Sequence, residues 1–248
     1  PRTDADYHVW WGYAGSILVA DDRLILPVGT AGLAVDKLTG KILWDNGPGY
    51  SGYSSPVRLE IDRQPCFAFV SGHEVVAAQI ADGHVRWKIP WRTTWDQNAS
   101  DVIVSDGRLF VSSGHGVGCA LFDLSTGLPA EGWRSKNMRT YLSNCVLWKS
   151  LLFGFEDKQL RCLDWRTGEV RWSSPKIGLG SLILADERLI VLQEDGTLRI
   201  VEATGNAYRS VAEVKILAGR CWSAPALADG RLFVRDAAGD LSCLDLRR

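Results

Sequence analysis

A short motif recurs along the whole chain, and this repeat limits the possible folds more than any other feature of the sequence. Its full form is an apolar residue, any residue, an acid, two further residues, Thr-Gly, and then a tryptophan, as in the run from Ala34 to Trp44. Successive copies are 38 to 44 residues apart. The position of the acid falls at Asp36, Gln79, Asp123, Asp164, Glu202 and Asp245. Internal repeats of this length indicate one structural unit repeated side by side.

Each repeat contains three or four short apolar segments separated by turn residues, which indicates β-strands. The Asp106-Gly107 and Asp229-Gly230 pairs lie between apolar runs, and Asp-Gly is a strong hairpin signal because both turn residues need positive φ. No segment shows ten or more residues with helical spacing, which argues against a helical repeat. A four-stranded unit of about 42 residues has the size of one propeller blade.

We therefore predict an all-β fold, a β-propeller of four-stranded antiparallel blades, with residues 1–248 forming a single propeller domain. Six repeats are visible, and they form either a closed six-bladed ring or part of a seven- to eight-bladed one. The last repeat lacks the tryptophan strand. The segment Tyr7 to Trp11 is one candidate to complete that blade and so to remove an exposed sheet edge. Missing N-terminal blades and an open ring are the alternative.

The repeated residues have mechanical roles. The acid can accept hydrogen bonds from the turn, and glycine supplies the positive φ that reverses the chain. The tryptophans are interpreted as contacts between blades, with Tyr208 near that position in the fifth repeat. Cys162 and Cys243, two residues before the acid, are interpreted as small buried apolar residues. The tryptophans are Trp44, Trp87, Trp133 and Trp172.

Composition excludes several classes of protein. With 28 Lys and Arg against 29 Asp and Glu, the net charge is −1, so no nucleic-acid partner is predicted. No apolar run reaches the roughly 18 residues of a membrane span, so no transmembrane segment is predicted. No charged start followed by an apolar stretch marks a signal peptide. We expect a monomer rather than an oligomer.

The loops that precede the first strand of each blade bring aromatic and amide residues to one end of the predicted central channel. A concave funnel lined by such groups is the usual place for a ligand. The alternative, that these side chains only plug the axis and bond to neighbouring loops, is weighed equally. The candidate ligand residues at the funnel are Tyr13, Tyr53, Asp96, Asn98, Asn144 and Trp222.

Signals for catalysis or metal binding are weak. His73 and His115 follow Ser-Gly in equivalent turns, and they are interpreted as solvent-exposed turn residues rather than as a pair of metal ligands. No nucleophile, metalloprotease or nucleotide-binding motif is present. No metal site is therefore predicted.

The run from Ala34 to Trp44 and its near-copies resemble the repeat of the pyrroloquinoline-quinone-like β-propeller proteins, which include quinoprotein alcohol dehydrogenases and BamB. The resemblance spans Gly15 to Asp245 and implies an extracytoplasmic, bacterial location, periplasmic or secreted. The quinoproteins hold the quinone below a disulfide of adjacent cysteines, with a calcium ion, and this sequence has no adjacent cysteines. Oxygen ligands of the type that calcium prefers are available at Asp96, Asn98, Asp101 and Asn144, without a known spacing.

These observations favour a non-catalytic propeller, a binding or scaffold module for a protein, peptide or small ligand at the funnel face, with no cofactor. Each strongly repeated residue has a structural role, so no catalytic set is left over. The alternative, from resemblance alone, is an alcohol dehydrogenase that depends on pyrroloquinoline quinone and Ca²⁺. A carbohydrate-acting propeller with facing carboxylates is a third hypothesis.

Overall fold

The structure, a computed structural model, describes residues 10–247, and these residues form β-strands joined by turns and loops. The described residues divide into two compact units, one that ends at residue 136 and one that begins at residue 137. The first part of the predicted closing segment, Tyr7 to Val9, lies outside the described residues. The prediction of a single domain and that of a closed ring both stay predictions.

Three four-stranded antiparallel sheets make up the first unit, each with its strands in chain order. Sheet 1 contains β1 (Leu18–Ala20), β2 (Arg23–Leu26), β3 (Leu33–Asp36) and β4 (Ile42–Asp45). Sheet 2 contains β5 (Val57–Ile61), β6 (Gln64–Val70), β7 (Glu74–Gln79) and β8 (Val85–Pro90). Sheet 3 contains β9 (Ile103–Ser105), β10 (Arg108–Ser113), β11 (Gly118–Asp123) and β12 (Ala130–Ser135).

The second unit repeats this arrangement in two four-stranded sheets and one three-stranded sheet. Sheet 4 contains β13 (Val146–Trp148), β14 (Leu151–Glu156), β15 (Gln159–Asp164) and β16 (Val170–Ser173). Sheet 5 contains β17 (Gly180–Ala185), β18 (Arg188–Gln193), β19 (Thr197–Glu202) and β20 (Ser210–Lys215). Sheet 6 contains β21 (Ala226–Ala228), β22 (Arg231–Arg235) and β23 (Leu241–Asp245).

The turns have the conformations that the sequence predicts. Asp106 and Gly107 both have positive φ, 49° and 67°, in the two-residue connection between β9 and β10. In the repeated acid turn, the Asp36 carboxylate accepts hydrogen bonds from the backbone N–H of Leu38 and from the N–H and hydroxyl of Thr39. The hydroxyl bond of Thr39 holds the pKa of Asp36 below its ordinary value, because it stabilises the charged form.

The glycine of the repeated acid turn is needed for a second reason besides its positive φ, because a neighbouring ring leaves no room for a side chain. Gly83 has φ of 76°, and a Cβ atom at this position would lie 2.6 Å from Cε3 of the Trp44 ring. The Trp44 indole therefore lies flat against the turn of sheet 2, and its N–H donates to the carbonyl of Ile80 at 3.1 Å. Trp172 makes the same contact in the second unit, because its N–H donates to the carbonyl of Thr204 in sheet 5 at 2.6 Å. These two indoles join neighbouring sheets.

The strand register corrects the prediction for Tyr208. Trp44 pairs with Ala34 and Trp172 pairs with Cys162, whereas the equivalent partner of Ile200 is Ala212. Sheet 5 therefore has alanine where the other fourth strands have tryptophan. The Tyr208 ring instead packs against Trp172 of the preceding sheet, with ring centroids 5.8 Å apart. The sequence pattern misplaced this residue because the connection between β19 and β20 differs in length from the other repeats.

The sixth sheet corrects the prediction for Cys243. Cys162 is buried, as predicted, whereas Cys243 is exposed. Within the described residues no fourth strand pairs with β23, so no tryptophan of such a strand lies opposite Cys243. Burial at this repeat position therefore depends on a neighbouring fourth strand and not on the residue type.

The six cysteines are thiols rather than disulfides, and Cys243 is the exposed one among them. Burial raises the pKa of the Cys66, Cys162 and Cys221 thiols, and it raises that of Cys162 to about 12. Since the thiolate is the nucleophile, buried thiols with raised pKa values react slowly. We expect iodoacetamide at neutral pH to modify Cys243 alone in the native protein and all six cysteines after unfolding. Mass spectrometry of peptides checks this, and rapid native labelling at Cys162 would contradict the burial seen in sheet 4.

No helix among residues 10–247 is long and apolar enough to cross a lipid bilayer.

Candidate functional site

In sheets 3 to 6, a buried polar side chain at the end of the second strand holds the loop that leads into the first strand. Ser113 accepts a hydrogen bond from the Trp91 indole at 3.0 Å and donates to the Asn98 side chain at 2.8 Å. Asp236 accepts a hydrogen bond from the backbone N–H of Gly219 at 3.2 Å. The set of buried polar residues at this repeat position is Ser71, Ser113, Glu156, Gln193 and Asp236. These hydrogen bonds hold the buried side of the loops in place and leave the outer loop residues exposed.

Sequence reasoning missed this set. The sequence signal is a polar residue at the end of an otherwise apolar second strand. It lies six positions after the residue whose backbone carbonyl oxygen accepts a hydrogen bond from the backbone N–H of the residue that follows the repeated acid. Serine, glutamate, glutamine and aspartate all occur at the position, so no single letter repeats. Because a buried polar group needs a hydrogen-bond partner, a polar residue at this position indicates a nearby contact. For Ser71 that contact is with Glu74, which follows the adjoining turn.

In the first unit, the structure brings together two of the predicted ligand residues, Tyr53 and Asn98. The backbone N–H of Tyr53 donates to the Asn98 carbonyl oxygen at 2.8 Å. The Tyr53 ring also contacts Trp11, with centroids 5.8 Å apart, and burial raises the pKa of its hydroxyl. Tyr13 and Trp95 lie in loops of the same unit with exposed rings.

Asn98 is fully buried and its side chain is used within the protein. Its amide N–H groups donate to the carbonyls of Ser71 and Gly72, at 2.8 and 3.0 Å, and its oxygen accepts from Ser113. These bonds join the loop that contains Asn98 to sheets 2 and 3. Asn98 therefore has a structural role, because its side-chain hydrogen bonds fix the conformation of the loop.

Asp96 lies in a polar cluster with two histidine-containing turns nearby. One carboxylate oxygen lies 3.0 Å from Nε of Arg92 and 3.1 Å from Nε2 of His73, although the angle at His73 does not make a hydrogen bond. The His73 ring stacks on Tyr50 at 4.1 Å. His115 contacts the Gln97 side chain at 3.0 Å, and burial lowers the pKa of His115.

The prediction that both histidines are solvent-exposed is therefore wrong, because residues of the adjoining loops cover one side of each ring, and both are half-buried. Among the described residues, no three histidine, cysteine or acidic side chains lie close enough together to hold a metal ion.

The residues do not fit the calcium site that the quinoprotein resemblance implies. Asp96 is paired with Arg92, and the Asn98 oxygen is buried on Ser113. The Asp101 carboxylate accepts from the backbone N–H of Ser55 at 2.5 Å. Asn144 is exposed and lies in the second unit. The side-chain oxygens of Asp96, Asn98 and Asp101, three of the four residues, are thus already bound to donor groups of the protein.

The second unit contains a cleft among its loops, here called the loop cleft, with an empty volume of about 400 Å³, open solvent included. Trp222 lies on its wall, as do Tyr141 and Leu142 from the loop that contains Asn144, although Asn144 itself does not line it. The lining residues are Arg139, Tyr141, Leu142, Ser143, Phe155, Asp157, Leu179, Gly180, Cys221 and Trp222.

Gly180, which opens the first strand of sheet 5, keeps the base of the loop cleft narrow. A Cβ atom at Gly180 would lie 2.7 Å from the Leu192 carbonyl oxygen and 2.9 Å from the Phe155 ring. A direct steric contact therefore requires a small residue at the start of this first strand. The Phe155 ring can therefore pack closely beneath the cleft.

Trp222 is exposed but held in one orientation. Its indole N–H donates to the Glu194 carboxylate at 2.9 Å, and the Arg220 guanidinium lies over the ring at 5.0 Å from the centroid. Arg220 also lies 3.4 Å from the same Glu194 oxygen. Trp222 lines the loop cleft, and Arg220 lines a neighbouring polar groove together with Glu194 and Lys215.

Comparison with known structures agrees with the sheet arrangement. BamB from Moraxella catarrhalis is 18% identical over 92% of this chain and 68% of its own, with a TM-score of 0.71. The computationally designed Ika8 protein is 12% identical over 93% and 70%, with a TM-score of 0.67. A chain of the mitotic checkpoint complex is 15% identical over 92% and 73%, with a TM-score of 0.63. The fold is an all-β propeller of about six blades, and this prediction is confirmed.

The sequence model of the family described as outer membrane protein assembly factor BamB matches residues 10–174 and 152–248. The chain therefore belongs to this BamB family, and the predicted resemblance to the pyrroloquinoline-quinone-like, BamB-like repeat is confirmed. No curated protein matches the sequence significantly.

Proposed function

We propose that this protein is a non-catalytic binding propeller whose loop cleft takes a side chain from an extended segment of a partner protein. The observation that carries the proposal is the pair of exposed aromatic rings at the cleft, Tyr141 and Trp222, which are 39% and 53% exposed. Exposed aromatic side chains beside a cleft are typical energetic centres of protein interfaces.

The size and chemistry of the loop cleft favour a protein side chain over a cofactor. The loop cleft encloses a volume of about 30 Å³, far below the roughly 300–1,000 Å³ of small-molecule sites. Apolar walls from Leu142, Leu179 and Trp222 surround a few polar groups. The description of the family as an assembly factor also supports a protein partner and an extracytoplasmic location.

The remaining predicted ligand residues, Tyr13, Tyr53, Asp96 and Asn98, lie in the first unit. A ligand-binding role for these four residues stays a prediction. A monomeric state is part of the proposal as well.

We expect Trp222→Ala to weaken the binding of peptides selected on the wild-type protein from a displayed random-sequence library by about tenfold or more, because interface tryptophans contribute strongly to affinity. Biolayer interferometry measures the affinities. Val214→Ala is the matched control, since Val214 is 51% exposed in the same unit but lies on β20, outside the cleft, and it should leave affinity unchanged.

Two results would overturn the proposed function. One is a library selection that yields no peptide whose binding depends on Trp222. The other is tight binding of pyrroloquinoline quinone with Ca²⁺ together with alcohol-dependent dye reduction, which would assign catalysis instead.

A further inference from the structure

We propose that the loop cleft selects a basic side chain, lysine or arginine, on the partner segment, with the cation held by Asp157 and by the aromatic rings. This inference rests on the proposed function and names the chemistry of its ligand. It follows from the charges at the cleft, taken together with the geometry of its exposed rings.

The positive charge at the cleft is already neutralised. Nε and Nη2 of Arg139 both donate to one carboxylate oxygen of Glu156, whose side chain is buried. This hydrogen bonding raises the pKa of Arg139, so the guanidinium stays charged and bound to its partner. The Arg139 side chain is 41% exposed, but Glu156 is buried, so breaking this pair would leave a buried carboxylate uncompensated. Arg139 is therefore a poor site for an incoming carboxylate.

Asp157 supplies the negative charge that remains. It lies on the cleft wall, it is exposed, and no hydrogen bond or ion pair holds its carboxylate within residues 10–247. Two carboxylates, Glu156 and Asp157, thus act on one guanidinium, that of Arg139, which leaves one unit of negative charge. An opposite charge on the partner would be attracted and an acidic partner repelled.

The apolar wall suits the rest of a basic side chain. Lysine and arginine carry an alkyl stem that can lie on apolar surface, and their cationic groups bind favourably to aromatic faces. Leu142 provides apolar surface for the alkyl stem, and the exposed rings of Tyr141 and Trp222 provide aromatic faces for the cationic group. The Arg220 guanidinium already stacks on Trp222, which shows that this ring accepts a cation in its present orientation.

The charges of the neighbouring groove do not change this selectivity. Glu194 pairs with Arg220, and Asp195 pairs with Lys215 at 3.3 Å, so each acid there has a basic partner. The carboxylate at the cleft that lacks an ion pair is the one at Asp157. The preference for a cation should therefore be localised to a single residue of the partner segment.

Asp157→Asn provides the test. Asp157 has φ of 52°, a conformation that asparagine tolerates as well as aspartate, so the fold is preserved. Asp186→Asn is the matched control, since Asp186 has φ of 51° in an exposed turn of the same unit and does not line the cleft. We expect library selection on the wild-type protein to enrich lysine or arginine next to an apolar residue. Asp157→Asn should lower affinity for such a peptide by about tenfold and Asp186→Asn should not change it.

The outcomes separate the inference from the proposed function. Selected peptides that depend on Trp222 but carry no basic residue, or that bind Asp157→Asn as well as wild type, would overturn the inference and leave the function intact. The absence of any Trp222-dependent peptide would overturn both. A basic residue whose replacement by norleucine weakens wild-type binding, but not binding to Asp157→Asn, would establish the pairing.

Discussion

Trp172→Ala is expected to lower the free energy of unfolding by about 3–5 kcal/mol, the cost of truncating a buried tryptophan. The Trp172 ring is 7% exposed and packs against Phe153 of its own sheet and Tyr208 of the next, each at 5.8 Å between ring centroids. Its N–H donates to the Thr204 carbonyl, so truncation also removes a hydrogen bond between two sheets. Equilibrium unfolding in urea measures the change.

Two variants separate packing from hydrogen bonding. Trp172→Phe keeps an aromatic ring and loses the N–H donor, so it should cost less than the alanine variant, about 1–3 kcal/mol. Trp222→Ala removes an exposed tryptophan of the same unit and should change stability by less than about 1 kcal/mol. Equal stability of Trp172→Ala and the wild type would show that the indole does not hold sheets 4 and 5 together.

Asn98→Ala is expected to cost about 3 kcal/mol or more. The variant leaves the Ser71 and Gly72 carbonyls and the Ser113 hydroxyl without the Asn98 side chain in a fully buried place. Each buried polar group that loses its hydrogen bond costs about 1–3 kcal/mol. Asn206→Ala, at an exposed asparagine, is the control and should be close to neutral. Unfolding in urea and protease cleavage of the loop at residues 91–101 measure the effect.

A charged replacement adds a pH dependence of known sign. In Asn98→Asp, a buried carboxylate would face the Ser71 and Gly72 carbonyl oxygens, which disfavours the ionised form and raises its folded-state pKa. A raised folded-state pKa means that the stability is fully present below the ordinary carboxyl pKa and is lost as pH rises through the folded value. We expect Asn98→Asp to be most stable in acid. The opposite pH trend would contradict the hydrogen-bond directions assigned to Asn98.

The location of the repeats follows from local chemistry, which is why the sequence predicts it well. The Asp36 turn and the Asp106-Gly107 hairpin each depend on residues within a few positions of one another. Trp44 and Trp172 recur at a fixed distance from such turns, so the number of antiparallel sheets can be counted from the repeats. Six repeats predict six sheets, and six are present in residues 10–247, the last with three strands.

The burial and the hydrogen-bond partners of each residue depend on which loops meet in space. The repeat pattern of the sequence does not contain that information. Cys162 and Cys243 hold the same repeat position, yet only the first is covered by a fourth strand. Asn98 and Asn144 look alike as loop amides, yet one is buried by hydrogen bonds and the other is exposed. A shift in connection length places Ala212 where the pattern predicts Tyr208.

Strands, turns and family membership follow from the order of residues in this protein, because they depend on groups that are close together along the chain. The charge balance of the loop cleft does not follow from that order. Glu156 neutralises Arg139, and Asp157 keeps its negative charge on the same cleft wall as Tyr141 and Trp222. These groups come from three separate segments of the chain, one with Arg139 and Tyr141, one with Glu156 and Asp157, and one with Trp222, so their burial and their pairing are set by distances in space that folding alone establishes.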